Sequence, residues 1–333
     1  MSSHRWSLHR FVIASLRTDG VRHAAVAAGA AIACAVLVGA LIVGDSMRAS
    51  LRRLAIDQLG KIDSIVMPGR YFRAELADEW TQTDAVSRFF EAATPAVLID
   101  IGIDNAEADP PRRANHVRLV GCRPQFFAAF PQSPQMLPSG RNIVLNEETA
   151  RLLDVEVGDR VILRLPRVRA IPAESGLGRR TELVRATAVT VVDIVPNEGL
   201  GRFRIEPSQT VPRLAFADLE WLADRLEQPG KANTLMLVGR DTEQPAGPDA
   251  VAAAAEALSP RPIDYGLRIT EDPRGFFQIS SDQLILDGRL DAAVRDGLSQ
   301  HEVSPIFVYL ANTIRCGDKE VPYSIVAAMH LDR

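Results

Sequence analysis

The sequence has 333 residues, with 38 lysines and arginines against 42 aspartates and glutamates, and a net charge of −4. Four arginines and one aspartate precede residue 24, a net charge of +3, whereas the remaining 34 basic and 41 acidic residues give −7. An acidic bulk with scattered arginines lacks the basic footprint of nucleic-acid-binding proteins, so we expect no nucleic-acid partner.

Residues 1–23 form a short basic tail. Within it, the stretch 6–16 predicts a helix whose apolar residues share one side: Leu8, Phe11, Val12 and Leu16. Arg10 and Arg17 fall elsewhere on this helix. The pattern is typical of an amphipathic helix at a membrane interface, where each basic side chain attracts anionic lipid by about 1 kcal/mol.

The segment from Ala24 to Gly44 is uncharged and rich in Ala, Val, Leu and Ile. As a helix it would measure about 32 Å, which matches the hydrocarbon core of a bilayer. No other segment of the sequence has this length and composition, so we predict a single transmembrane helix over 24–44. A secretory signal peptide is the main alternative, but the run exceeds a usual signal core and lacks a clear small-x-small cleavage site. We therefore favour an uncleaved anchor, with Cys34 as a small packing residue within it.

After the span, apolar residues keep a helical rhythm up to Gly60: Met47, Leu51, Leu54 and Ala55. The spanning helix is therefore expected to continue as a stalk over 45–60. Lysines and arginines balance on the two flanks of the span, so the positive-inside rule does not decide its orientation. Because large domains translocate largely regardless of charge, we expect the plasma (inner) membrane to hold the chain with its N-terminus cytoplasmic and its bulk extracytoplasmic.

Residues 61–135 alternate short strands and helices. The pattern predicts a strand over 62–67, a helix over 72–92, and strands over 96–103 and 116–120 around the loop 105–113. The expected buried positions of that helix are Leu76, Trp80, Val86, Phe89 and Phe90. The order β-α-β-β is typical of a small α/β layer.

Residues 136–230 are richer in strands. Asn146 is a good N-cap for a helix over Glu147–Leu153, and Asp218 is a good N-cap for the helix that follows it. Strands are predicted over 142–145, 160–165, 186–195 and 213–217, with a Pro/Gly-rich link at 166–180 and a loop at 196–212. We interpret this stretch as a compact β-rich insert.

Residues 231–333 return to the alternating pattern. Strands are predicted over 235–238, 267–271, 276–280, 306–310 and 321–328, and helices over 249–258 and 284–298. The fold class is therefore predicted as α+β. A single transmembrane helix with its stalk precedes a discontinuous α/β domain, 61–135 and 231–333, that carries the insert 136–230.

The sequence offers no catalytic constellation. Gly60-Lys61 lacks the upstream glycine of a phosphate-binding loop, and the glycine pairs at 176/178 and 199/201 lack the third glycine of a dinucleotide fingerprint. The histidines beyond the span, His116, His301 and His330, are isolated from other metal-ligand residues in sequence. We therefore expect no catalytic residue, no cofactor, no metal site and no enzyme activity. Spacing alone leaves open an anchored hydrolase whose groups meet in the fold.

Two cysteines lie outside the predicted span, Cys122 and Cys316. In an oxidising compartment they could form one disulfide. Their positions form no motif, so the sequence leaves this pairing open.

Four stretches carry a resemblance to a known family. The first, Leu37–Arg52, crosses the outer boundary of the span and resembles the first transmembrane helix and stalk of FtsX-like ABC transporter permeases of the MacB and LolC/LolE type. The second, Asn142–Val161, is similar to the start of a strand-helix-strand unit in their extracytoplasmic domain. Val191–Pro196 and Pro322–Ala327 are also similar to segments of such permeases.

The resemblance implies a permease subunit that works with a separate ABC ATPase, in the lipid bilayer and as a homo- or heterodimer. In this family the extracytoplasmic domain pairs a porter-like α/β part with a smaller β-rich part. The first helix and its stalk would pass ATP-driven motion to that domain, for export or for lipoprotein or peptide handling. The family has four membrane helices, and three are missing here, so we expect an N-terminal fragment that cannot couple to ATP alone. The alternative is a membrane-anchored extracytoplasmic binding or sensor protein, complete as written.

Overall fold

The computed structural model describes residues 8–166, 184–206, 208, 210–240, 245–281 and 286–329. Two compact units divide the chain, Met1–Asp57 and Gln58–Arg333. The Pro/Gly-rich link predicted over 166–180 lies, beyond Pro166, outside the described residues.

The first unit is helical. Helix α1 spans Leu8–Thr18 and α2 spans Gly20–Leu59, with the last two residues of α2 in the second unit. The helix predicted over 6–16 is present as α1, and its first two predicted residues fall outside the described ones. Apolar side chains such as Phe11 and Leu16 are exposed on α1.

Among the described residues, α2 is the one helix long and apolar enough to span a membrane. Its 40 residues measure about 60 Å as a helix. The chain therefore stays helical beyond the predicted span 24–44 and through the predicted stalk 45–60 as far as Leu59.

The second unit contains the remaining helices and all the strands that the described residues form. Its helices are α3 (Glu75–Thr81), α4 (Asp84–Phe89), α5 (Pro124–Phe127), α6 (Glu147–Leu153), α7 (Leu219–Arg225), α8 (Pro248–Ala257) and α9 (Gly288–Gly297). Its strands are β1 (Ile62–Val66), β2 (Phe72–Arg73), β3 (Phe90–Asn105), β4 (Arg112–Cys122), β5 (Asn142–Asn146), β6 (Arg160–Pro166), β7 (Val184–Val195), β8 (Leu214–Asp218), β9 (Lys231–Ala232), β10 (Thr234–Gly239), β11 (Leu267–Asp272), β12 (Phe276–Ser281), β13 (Ile306–Cys316) and β14 (Lys319–Met329). Short 3-10 helices cover Gly199–Arg202 and Pro262–Tyr265.

Eight strands form one mixed sheet in the order β1-β10-β3-β4-β8-β5-β7-β6. β4 lies parallel to β8 and β5 lies parallel to β7, whereas the other neighbours are antiparallel. The far end of β3 also pairs with β6, with Gly102 opposite Arg164, so the six strands from β3 to β6 close into a ring. β3 can serve both neighbours because it is 16 residues long and meets β10 first and β6 last.

Strands from two of the predicted parts meet directly in this sheet. β6 and β8, from the predicted insert 136–230, are hydrogen-bonded to β3 and β4 from 61–135. The mixed α/β fold with one apolar N-terminal helix is confirmed. The division into a discontinuous porter-like domain and an insert stays a prediction.

Both faces of the sheet are covered. In β10, Leu235 and Leu237 belong to one buried cluster, and Met236 and Val238 belong to another. Because successive strand residues point to opposite faces, the two clusters lie on opposite sides of β10. Every residue of β10 is buried, which is the pattern of an interior strand.

The single helix predicted over 72–92 is wrong. Two short helices, α3 and α4, occupy part of it, and the side chain of Thr83 starts the second one by capping its first turn. From Phe90 the chain is strand, because Ala92 and its neighbours pair with β10. Of the expected buried positions, Phe89 is 39% exposed and the others are buried.

The two predicted helix caps are confirmed. The side chains of Asn146 and Asp218 accept hydrogen bonds from backbone N–H groups in the first turns of α6 and α7. Asn146 is fully buried, and its amide also donates to the carbonyls of Gly201 and Pro212 at 2.9 and 2.8 Å. One side chain therefore starts α6 and holds Gly201 and Pro212 against it.

The C-terminal part forms two hairpins and a helix with no buried residue. Among the described strands, β11 pairs only with β12, and β13 pairs only with β14. These strands confirm the four predicted between residues 267 and 328. The helix predicted over 284–298 is present as α9, and its expected first residues fall outside the described ones.

The cysteines are free thiols. Cys122 is buried in β4, and burial, together with the charges of Asp218 and Glu220, raises the pKa of its thiol well above the ordinary value. Cys316 is exposed at the end of β13. The disulfide that the sequence left open is not formed in the structure.

Candidate functional site at the end of the long helix

Helix α2 is followed by Gly60, which adopts a left-handed conformation with φ of +59°. Such a residue turns the chain away from a helix without the steric penalty of a Cβ atom. The N–H of Lys61 then donates to the carbonyl of Ala129 at 2.9 Å, and its own carbonyl accepts from the N–H of Gly239 at 2.6 Å. The chain leaving the helix is therefore held both to the segment after α5 and to β10.

Gly60 has no room for a larger residue. A Cβ atom at this position would lie 2.5 Å from the carbonyl oxygen of Ala129 and 2.8 Å from a ring carbon of Phe130. Gly69 also has a positive φ, +72°, but it has open space around it. Both glycines adopt a left-handed backbone, but only Gly60 also lies too close to its neighbours for a side chain.

The last turn of α2 adds two contacts. Gln58 is 1% exposed, and its Nε2 donates to the carbonyl of Ser208 at 2.9 Å. Its Oε1 has no hydrogen-bond partner among the described residues. Leu59 is partly buried against the hydrophobic cluster that contains Met236 and Val238. We call Gln58, Leu59, Gly60 and Lys61, with Ala129 and Phe130, the helix-end junction.

A cluster of aromatic rings lies behind the helix-end junction. Its members are Phe126, Phe127, Phe130, Phe203 and Phe216. The centroids of contacting rings are 5.3 to 6.2 Å apart. Phe126 meets Phe127 and Phe203 edge-to-face, and Phe130 meets Phe203 in the same way. Aromatic pairs in this geometry add about 0.5–1.5 kcal/mol each beyond the burial of their area. The junction is therefore backed by a tightly packed and poorly compressible core.

A second feature, the Arg73 clasp, consists of Arg73, Glu79, Arg261 and Asp264. Arg73 donates to Asp264 through Nε at 3.1 Å and Nη2 at 2.9 Å, and to Glu79 through Nη1 at 2.9 Å and Nη2 at 3.2 Å. Arg261 donates to Glu79 at 2.7 Å. Arg73 lies in β2, Glu79 in α3 and Asp264 in the 3-10 helix before β11, so the network joins these three elements. Asp264 is buried, at 3% exposed.

The clasp keeps its charges. Burial alone would raise the pKa of Asp264, but hydrogen bonds from the Arg73 side chain and from the backbone N–H groups of Arg261 and Arg73 hold it below its ordinary value of 3.8. Hydrogen bonds to Glu79 and Asp264 raise the pKa of Arg73. The buried pair therefore stays ionised at neutral pH.

A cleft of about 390 Å³ opens beside β1 and α8, lined by residues that include Asp63, Phe89, Arg240 and Asp249. Asp63 accepts a hydrogen bond from the N–H of Ala246 at 3.1 Å. Burial raises the pKa of Asp63, and that hydrogen bond opposes the rise. Among the described residues, the lining offers carboxylates and one guanidinium but no His, Cys or Ser side chain.

The histidines noted in the sequence are not brought together. His116 is exposed in β4 with φ of +54°, His301 is exposed after α9, and His330 lies outside the described residues. The described residues hold no group of three or more His, Cys, Asp or Glu side chains arranged for a metal ion. The partners of the helix-end junction were not found from the sequence, in which Gly60 marks the end of the stalk and nothing local points to Ala129 or Ser208.

Residues 24–258 match the family model of the MacB-like periplasmic core domain. The match runs from within α2 across all eight strands of the main sheet. The chain belongs to this family. The resemblance to FtsX-like and MacB-like permeases that the sequence predicted is thereby confirmed. None of the curated proteins matches the sequence.

Two solved structures are similar to this MacB-like chain. The periplasmic region of MacB from Actinobacillus actinomycetemcomitans is 10% identical, with a TM-score of 0.37, over 72% of this chain and 86% of that one. The extracellular domain of the ABC-type transporter YknZ from Gram-positive bacteria is 11% identical, with a TM-score of 0.36, over 63% of this chain and 90% of that one. The family assignment rests on the sequence match alone.

Membership in the MacB-like family makes the chain a component of an ABC transporter permease rather than a classical enzyme. The family implies an ATPase partner and an oligomeric assembly. One apolar N-terminal helix followed by a periplasmic core domain is consistent with a membrane anchor and an extracytoplasmic bulk.

Proposed function

We propose that this MacB-like chain is a permease subunit that passes the ATP-driven movement of a separate ATPase to its extracytoplasmic domain. Export, or the handling of lipoproteins or peptides, is the work that such movement would serve. The N-terminus would lie in the cytoplasm, α2 would cross the plasma (inner) membrane, and the subunit would act as a homo- or heterodimer.

The observation that supports this proposal most strongly is that α2 does not end with its apolar segment. The helix continues past Gly44 to Leu59, and the residues that follow are bonded to Ala129 and Gly239. A helix is a rigid element along its axis, whereas a flexible linker would absorb movement. A helix that ends on a packed core is the arrangement that a mechanical transmitter requires.

In a permease that carries this chain together with the other three membrane helices of the family, we expect Gly60→Ala to reduce severalfold the ATP hydrolysis that the permease stimulates in its ATPase partner. An alanine at φ of +59° costs about 1–2 kcal/mol, and its Cβ must also displace Ala129 or Phe130. The end of α2 would then lose its close contact with Ala129 and Phe130, while the apolar segment still inserts into the membrane. The measurement is ATP hydrolysis in proteoliposomes that hold both proteins, with thermal unfolding of the chain recorded in parallel.

Gly69→Ala is the matched control, because it forces the same kind of backbone conformation with open space around it. It should lower stability by about 1–2 kcal/mol and leave the coupling intact. If Gly60→Ala does not fold, Gln58→Met removes the hydrogen bond to Ser208 at similar volume and should weaken the coupling. Wild-type coupling in these folded junction variants would contradict the proposal. An ATPase that does not respond even to the permease with all four membrane helices would favour a membrane-anchored binding or sensor protein.

A further inference from the structure

The β13–β14 hairpin exposes apolar side chains over most of its length. Its exposed large hydrophobic residues are Ile306, Phe307, Val308, Tyr309, Leu310, Ile314, Val321, Tyr323, Ile325 and Met329. Among the described strands, neither β13 nor β14 pairs with any other. An isolated two-stranded hairpin is marginally stable in water, and it needs either further strands or a packed helix for independent stability. The exposed apolar side chains therefore indicate that a further element completes the hairpin.

The two outer edges of the hairpin differ. Cys316 and Lys319 flank a two-residue turn, and the residues at such a turn form a pair that exchanges both backbone hydrogen bonds. Hydrogen-bonded and non-hydrogen-bonded pairs alternate along an antiparallel hairpin. Thr313 and Pro322, three pairs further from the turn, are therefore a non-hydrogen-bonded pair, whose backbone groups face away from the hairpin. Proline has no N–H to offer on that edge, and Tyr323 beside it has an irregular φ of +49°. The outer edge of β14 is therefore blocked against a further strand.

The outer edge of β13 is open. By the same alternation, the residues whose N–H and C=O groups face outward are Phe307, Tyr309, Ala311, Thr313 and Arg315. β13 contains no proline and no carboxylate, and its one charge, Arg315, is already bonded to Glu320 of β14 at 2.9 Å. Nothing in β13 opposes the addition of a strand along this edge.

The edge is also complementary to itself. If two copies of β13 lie antiparallel about Ala311, Phe307 faces Arg315 and Tyr309 faces Thr313, so each outward-facing residue meets another. This register places a guanidinium beside an aromatic ring and brings no like charges together. A two-fold axis at Ala311 therefore gives the outward backbone N–H and C=O groups of both copies hydrogen-bond partners in a single interface, as isologous interfaces do.

We propose that β13 pairs with β13 of a second copy of this chain, antiparallel and centred on Ala311, to form a four-stranded sheet across a two-fold axis. This inference rests on the proposed function in one respect, that the permease subunit acts in an assembly. It assigns the contact to residues 306–316, which lie beyond the part matched by the family model.

The test is disulfide crosslinking of the intact chain in lipid nanodiscs. In a Cys34→Ser, Cys316→Ser background, Ala311→Cys places two sulfurs on residues whose Cα atoms are about 5.5 Å apart, within the range of a disulfide. We expect a covalent dimer on oxidation. Ser324→Cys is the matched control, since Ser324 is the partner of Ala311 in the hairpin and is equally half-buried. Across the dimer its two copies are about 14 Å apart, so no crosslink should form.

A second pair of variants tests the same contact without cysteine. Ala311→Pro removes an outward N–H and leaves the bonds between β13 and β14 in place, so self-association should weaken by about tenfold or more. Ser324→Pro removes an outward N–H from the edge that is already blocked and should leave self-association unchanged. Native mass spectrometry of the detergent-solubilised chain gives the ratio of dimer to monomer for each.

The inference is overturned if Ala311→Cys forms no crosslink, if Ser324→Cys crosslinks equally, or if Ala311→Pro leaves the dimer intact. Protection of the outward-facing amides of Phe307, Tyr309, Ala311, Thr313 and Arg315 from hydrogen exchange in a monomer would also overturn it, by showing that a strand from elsewhere occupies the edge. Failure here is distinguishable from failure of the proposed function. Both measurements are made on a permease that carries this chain with the other three membrane helices of the family. ATPase stimulation that persists without an Ala311→Cys crosslink rejects the interface alone, and a crosslink without any ATPase response rejects the transport role alone.

Discussion

In a permease that carries this chain together with the other three membrane helices of the family, replacing Met47 and Leu51 with proline should abolish ATP-linked transport while leaving the protein inserted in the membrane. Both residues lie in α2 after the predicted span. An interior proline removes a backbone hydrogen bond and clashes with the preceding turn, which costs a helix about 3 kcal/mol or more and kinks or breaks it. The transmitted movement would then be lost at the kink. The measurements are transport-coupled ATP hydrolysis in proteoliposomes and resistance of the chain to alkaline extraction.

The control keeps the backbone and removes the side chains. Met47→Ala and Leu51→Ala preserve a strong helix former at each position, so the coupling should survive. This comparison separates helix continuity, which the proposal needs, from any specific contact that these side chains make. Unchanged transport in the proline variant would show that the helix between Gly44 and Leu59 does not carry the movement.

We expect Arg73→Ala to lower the free energy of unfolding by about 3–5 kcal/mol at neutral pH. The substitution leaves Asp264, which is 3% exposed, as a buried carboxylate without its guanidinium partner. It also releases Glu79 and so opens the link between α3 and the 3-10 helix before β11. Chemical denaturation of the chain, followed by intrinsic fluorescence, measures the loss.

The loss should depend on pH with a defined sign. The pKa of Asp264 is lower in the folded protein than its ordinary value of 3.8, so the clasp stabilises fully above that value and less as the pH falls through the folded pKa. The difference between wild type and Arg73→Ala should therefore be constant near neutral pH and shrink in acid, because Asp264 of the variant has lost the guanidinium that lowers its pKa and becomes protonated at a higher pH than the wild-type carboxyl. A difference that grew in acid would contradict the buried ion pair.

Arg295→Ala is the matched control for the clasp. Arg295 also pairs with a carboxylate, Asp291 at 2.9 Å, but both side chains are about half exposed. An exposed pair one helical turn apart contributes about 0.3–0.5 kcal/mol. A similar loss in both variants would show that burial does not set the strength of the clasp.

Local signals predicted several elements well. Asn146 and Asp218 each precede a short helix, and both caps are found where the sequence placed them, because an N-cap depends on residues two or three positions away. The long apolar segment likewise defined α2, since length and composition alone decide whether a helix can cross a bilayer.

The features that the sequence did not predict depend on contacts between residues far apart in the chain. The 72–92 stretch was expected to be one helix, yet β3 begins at Phe90 because β10, far along the chain, pairs with it. The same holds for the Arg73 clasp, whose two main partners are 191 residues apart, and for the contact of Gly60 with Ala129. Periodicity describes one segment at a time, so it cannot choose between a helix and a strand that another segment recruits.

The open edge of β13 has a practical consequence for handling the protein. Residues 306–311 are apolar, uncharged and free of proline, which is the composition of segments that stack into fibrils. Freed from α2, soluble copies would meet in every orientation, and contacts that do not close into a pair could propagate. Insertion of α2 into a membrane would confine the copies to one plane with a common orientation and so remove most of those encounters. Recombinant work on residues 58–333 should therefore keep α2.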